Sequence, residues 1–131
     1  MGMYTEFFFR AEIKAEEQDV QRWLKRIVDL DTDSPFDDHR FFALPRWRAV
    51  FGCSSAYFPT RGSLFEKPSY CNAPELFIHS SLKNYDDEIE AFMDWVKPWL
   101  DAYPGDFLGY SLYEESRGDD DRETPTLLFM T

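Results

Sequence analysis

The segment Thr5 to Lys14, TEFFFRAEIK, alternates with the two-residue period of a β-strand, Phe7, Phe9, Ala11 and Ile13 on one side and Glu6, Phe8, Arg10 and Glu12 on the other. Behind it Val20, Trp23, Leu24, Ile27 and Leu30 recur at helical spacing after the acidic starter Glu16-Glu17-Gln18-Asp19, which suits the positive end of a helix dipole. The same sequence of patterns returns with a constant offset of 69 residues and no gap: Glu6 falls on Glu75, Phe9 on Ile78, Ile13 on Leu82, Val20 on Ile89, Trp23 on Phe92 and Ile27 on Val96. A strand must bury one face and a helix one stripe, so two such units constrain the fold more than any other feature of the chain.

The spacing predicts a helix over about Glu16–Leu30 and a second from the Asn84-Tyr85-Asp86-Asp87-Glu88 cap onward, loosened at Pro98 and ending near Tyr103-Pro104-Gly105. After the first helix, Trp47–Cys53 and Ser55–Phe58 read as strands; after the second, Phe107–Tyr113 and Thr126–Phe129 do. The expectation is an α+β single domain over residues 3–131, built as an internal repeat of two β-α-β-β halves at about 5–58 and 75–130 with a linker at about 59–74. About six strands then form a mainly antiparallel sheet with both helices on one face. Phe7, Phe9, Ile13, Leu76, Ile78 and Leu82 lie beneath the helices, and Glu6, Phe8, Arg10, Glu12, Glu75, Phe77, His79 and Ser81 face the other way. Asp31–Leu44, Pro59–Pro74 and Glu114–Glu123 read as surface loops.

Charge narrows the function. The chain carries 25 Asp and Glu against 14 Lys and Arg, a formal charge of −11, which opposes direct nucleic-acid binding. With 44% apolar residues it is not a disordered acidic tail. No apolar run reaches membrane-spanning length and no secretion signal precedes the first strand, so a cytoplasmic protein is expected. Cys53 and Cys71 are either buried thiols or one disulfide.

Familiar chemistry fails its spacing tests. Asp29, Asp31 and Asp33 open like a calcium loop, but Ser34 and Arg40 stand where glycine and a bidentate acid are required. His39, Cys53, Cys71 and His79 lack the close pairs of a zinc site. There is no nucleophile elbow, P-loop or dinucleotide glycine pattern. No metal, cofactor or catalytic residue is assigned, and enzymatic activity is unsupported without being excluded.

Two surfaces remain. Between His39 and Ala73 the chain holds five cations and one acid. On an alternating strand, Arg46 and Arg48 would share the open sheet face with Arg10, His79 and Tyr110, beside Arg61 in the adjoining loop. Such a group either holds a small anionic, nucleotide-like ligand or neutralises the protein's own acids, Glu6, Glu12 and Glu75 among them. The second surface is acidic: Asp87, Glu90, Asp94 and the loop acids Asp119, Asp120 and Asp121 would face a basic host protein, with Trp95 either an exposed anchor or part of the core. Phe8 and Phe77 on the open face also suit a homodimer.

The segments FFFRAEIK, CSSAYF, SLKNYDDEIEAFMDWVKP, GYSLYEE and PTLLF together resemble small proteins encoded by phages and prophages, whose function is uncharacterised. The resemblance supplies no site residues. It implies a setting in which small acidic accessory proteins antagonise host machinery or defence, an anti-CRISPR-like or other counter-defence role. The leading expectation is a non-enzymatic host-factor inhibitor acting through its acidic side; the alternatives are a sponge for an anionic ligand and a small enzyme of unknown chemistry.

Overall fold

The computed structural model describes residues 4–52, 63–67, 73–113 and 125–131. Within them, strands β1 (Thr5–Glu12), β2 (Ser63–Glu66), β3 (Glu75–Leu82), β4 (Phe107–Tyr113) and β5 (Thr126–Phe129) form one antiparallel sheet in the order β2-β3-β1-β4-β5. Helix α1 (Gln18–Val28) follows β1 and helix α3 (Glu88–Val96) follows β3, with a single helical turn α2 (Ala49–Gly52) between α1 and β2. The first four strands and the two long helices make the β-α-β-β-α-β arrangement of a split β-α-β sheet, and β5 extends it by a hairpin on β4.

The alternation in TEFFFRAEIK assigns the faces as expected. Phe7, Phe9, Ile13, Leu76, Ile78 and Leu82 are fully buried, beneath a core completed by Val20, Leu24 and Ile27 of α1 and Ile89, Phe92 and Val96 of α3. Asp19 in the first turn of α1 and Lys25 and Arg26 in its last suit the helix dipole. Helix α1 stops where Leu30 turns left-handed (φ 60°), with Leu30 N–H donating to Ile27 O at 3.2 Å and Asp31 N–H to Arg26 O at 2.7 Å. That is the helix-terminating bond pair that normally carries glycine. Helix α3 passes into a 3₁₀ turn at Lys97–Trp99, where Pro98 cannot donate.

The sheet has five strands among the described residues instead of six, and the two halves part company after their helices. RWRAVFG is helical where a strand was expected. Trp47, Val50 and Phe51 are buried at spacing i, i+3, i+4, and the Ser80 hydroxyl donates to Val50 O at 2.8 Å while the Ser63 hydroxyl donates to Phe51 O. These two inward-facing serines of β3 and β2 satisfy the carbonyls at the end of α2 and fix it on the sheet. The expected linker contains strand β2, and the Asp31–Leu44 segment is not simply a surface loop. Its 3₁₀ turn Arg40–Ala43 buries Phe41 and Phe42 in an aromatic cluster with Trp23, Trp47, Phe51, Phe92 and Trp95. The expected strand at Ser55–Phe58 lies outside the described residues.

Candidate functional site

Both helices pack on one side of the sheet, so the open face is set by register alone. Directly opposed pairs place His79, Phe8, Tyr110 and Leu127 in one row across β3, β1, β4 and β5. The neighbouring pairs add Leu64 opposite Phe77, and Phe107 opposite Phe129. Phe8 is the centre of this surface. It stacks on Tyr110 (5.5 Å, 9° between ring planes) and meets the edge of Phe77 at 5.4 Å. At the margins Leu64, Phe107, Leu127 and Phe129 are 42%, 52%, 54% and 44% exposed, so the apolar surface spans all five strands.

Glu6 holds the polar part of this face together. Its Oε2 accepts from His79 Nε2 at 2.9 Å and from the Tyr110 hydroxyl at 3.2 Å, which places a proton on Nε2 of the imidazole. The Tyr110 phenol is pushed above its usual 10.0, first by desolvation and then by the charge and hydrogen bond of Glu6. It therefore stays protonated as a donor, and Glu6 is occupied by two donors. This arrangement orients side chains; it does not generate a nucleophile.

The remaining charges of the strands gather at one end. Glu66, Glu75 and Glu12 stand directly opposite one another across β2, β3 and β1, an arrangement of like charges that costs stability. Arg10 relieves part of it by donating to Glu75 at 3.2 Å. Beside this row an open groove of about 380 Å³ is lined by Arg10, Glu12, Glu75, Asp101, Asp106 and Phe107.

Of the residues proposed for an anionic ligand, the open face brings together Arg10, His79 and Tyr110. It does not include Arg46 or Arg48. Because the segment that carries them is helical, both lie on the opposite side of the sheet, where Arg48 faces Asp33 at 3.5 Å and Arg46 faces Asp86 and Glu88 at 3.8 Å, its guanidinium 5.3 Å from the Tyr85 ring centre. They border a second groove, of about 730 Å³, that Asp31 and Asp33 also line. Arg40 is 3.8 Å from Asp94. The described arginines of the basic segment thus stand against the protein's own acids, though Arg10 alone reaches the strand glutamates.

Of the residues proposed for a partner, Asp87 and Glu90 are exposed near the start of α3, Glu90 accepting from Asn84 Nδ2 at 3.2 Å. Asp94 is exposed and accepts from His39 Nε2 at 3.0 Å, while His39 Nδ1 accepts from Phe41 N–H. Trp95 is no surface anchor: it is 2% exposed in the aromatic cluster, and its indole N–H donates to Asp37 at 3.2 Å. Arg61, Asp119, Asp120, Asp121, Cys53 and Cys71 lie outside the described residues.

Sequence reasoning missed Glu6 as an organising group and the Glu66-Glu75-Glu12 row. Alternation put Glu6, Glu12 and Glu75 on the open face, but only register reveals which of them oppose one another. Glu66 had been assigned to a loop. Among the described residues no His, Cys, Asp and Glu group could hold a metal ion, and no helix is long and apolar enough to cross a membrane. Comparison with protein-family models, curated proteins and solved structures returned no match.

Proposed function

We propose that the chain is a non-enzymatic binding protein that inhibits a partner protein by docking the open face of its sheet onto it. The observation that carries this reading is the apolar surface of Leu64, Phe77, Phe8, Tyr110, Leu127, Phe107 and Phe129, which spans five strands on the side away from the helices. Burying such a surface against a complementary partner supplies the main favourable contribution to association, with the central aromatic residues as anchors. In the setting implied by the resemblance to phage proteins, the partner is a host factor in the bacterial cytoplasm and the role is counter-defence.

Two alternatives are less well supported. The acidic helical side retains exposed Asp87 and Glu90, but Asp33, Asp86 and Asp94 there each face an arginine. Sequestration of a nucleotide-like anion on the sheet has Arg10 as its only strand-borne guanidinium among the described residues, surrounded by glutamates.

A photo-crosslinking amino acid placed at Leu64, at Leu127 and, on the helical side, at Arg22 tests the choice of surface in host cells. The expected result is one protein captured from both sheet positions and not from position 22. Capture from position 22 alone sends the contact to the helices, and capture from none of the three counts against a protein partner.

A further inference from the structure

The apolar face is half-buried at Phe8, Phe77 and Tyr110 and exposed at Leu64, Phe107, Leu127 and Phe129, and its charge decides what can cover it. Within the strands it presents four carboxylates, Glu6, Glu12, Glu66 and Glu75, against one guanidinium, Arg10. Three of the four form the opposed row, and Asp101 and Asp106 add two more acids in the groove beyond it. Lys83, past the end of β3, is at the far end, 5.6 Å from the Tyr4 ring centre.

A second copy of the chain would bring one acidic face against another. Like charges across a desolvated interface cost several kcal/mol, which opposes the homodimer. Nucleic acid is opposed for the same reason, although Phe8, Phe77 and Tyr110 form a surface on which bases could otherwise stack. A partner surface that places apolar side chains at the centre and a cation at one end meets neither obstacle. A cation there would also relieve the repulsion among Glu66, Glu75 and Glu12 that Arg10 relieves only in part.

Resting on the docking reading above, we infer that the occupant of the open face is a basic protein segment, seated with apolar side chains on Phe77, Phe8 and Tyr110 and with an arginine or lysine in the groove beside Glu12 and Glu75. Arg10 is then an internal competitor for that cation: it occupies Glu75 in the unbound protein and yields it on binding.

The test uses the full chain and a synthetic ten-residue peptide alternating arginine with valine and tyrosine, with a glutamate-for-arginine counterpart as control. Backbone amide NMR locates the peptide, and fluorescence anisotropy measures its affinity at 50 and 300 mM salt. Expected are shifts centred on Phe8, Arg10, Phe77 and Tyr110, at least tenfold weaker binding at high salt or in the Glu12→Gln/Glu75→Gln double variant, and severalfold tighter binding by Arg10→Ala. The Arg10→Ala gain cannot arise from misfolding. Equal binding of the glutamate peptide, shifts on the helical side, no shifts at millimolar peptide, or a concentration-dependent doubling of mass in light scattering each overturns the inference. Crosslinks at Leu64 and Leu127 to a neutral or acidic protein would overturn it as well, while leaving the docking reading in place.

Discussion

Gly109→Ala tests whether the open face depends on the close approach of β4 to β1. A Cβ at Gly109 would lie 1.9 Å from Phe8 O, 2.8 Å from Phe8 C and 2.9 Å from Phe9 Cα, all backbone atoms that no rotamer change can move. Restoring an ordinary van der Waals separation requires β4 to retreat from β1 by about 1.5 Å. A hydrogen bond of ordinary length stretched that far exceeds about 4 Å and is lost. The damage falls within five cross-strand pairs running from Thr5↔Tyr113 to Phe9↔Gly109. Two or three ladder bonds at about 1 kcal/mol each, with about 1–3 kcal/mol for overpacking, give an expected loss of about 3–6 kcal/mol. That is a large fraction of the roughly 5–15 kcal/mol typical of a native domain. Urea unfolding followed by tryptophan fluorescence measures it, and the Tyr110 phenol gives a second readout, since its raised titration depends on its burial and then on Glu6 across the same junction. A loss below about 1 kcal/mol, with the Tyr110 titration unmoved, would refute the close approach and with it the geometry of the aromatic platform.

Two further predictions concern single residues. Leu30→Gly should stabilise the protein: Leu30 is left-handed and 84% exposed, so little packing is lost. Relief of about 1–2 kcal/mol of backbone strain against about 0.5–1 kcal/mol of added chain entropy gives a net gain of up to about 1.5 kcal/mol and a rise in Tm of a few degrees by calorimetry. Because the Tyr110 phenol is raised, the native state holds its proton where the unfolded chain loses it, so its contribution to stability is complete below pH 10.0 and declines as pH rises through the folded value. Ring-carbon NMR of Tyr110 should show titration above 10.0, and Glu6→Gln should lower it only in part, because desolvation is the largest cause; an unmoved titration in that variant would exclude the Glu6 contact.

The parts of the fold legible in the sequence were those where one period dominates. TEFFFRAEIK and ELFIHSSL alternate because each strand is buried mainly on one face, and their inward residues are those expected; Ser81, opposite Glu6 on the other face, is fully buried as well. RWRAVFG is ambiguous because Trp47, Val50 and Phe51 satisfy helical spacing while Trp47, Ala49 and Phe51 satisfy alternation. The choice is made by partners distant in sequence, Ser63 and Ser80, which bind the carbonyls of Phe51 and Val50. Strand β2 was hidden for a similar reason: four residues, SLFE, gain their identity from pairing with β3.

That single local ambiguity redistributes the charge of the whole molecule. Had RWRAVFG been a strand, Arg46 and Arg48 would have met the strand glutamates, and the open face would have been close to neutral. As a helical turn, the segment sends both arginines to the helical side, where Asp33, Asp86 and Glu88 receive them. The side that looked acidic in sequence is thereby partly neutralised, while among the described residues the strand glutamates meet a single arginine, Arg10 on Glu75, with His79 and the Tyr110 hydroxyl on Glu6. The basic segment neutralises its own side of the sheet, and in doing so leaves the aromatic face as the acidic, apolar surface that a basic partner fits.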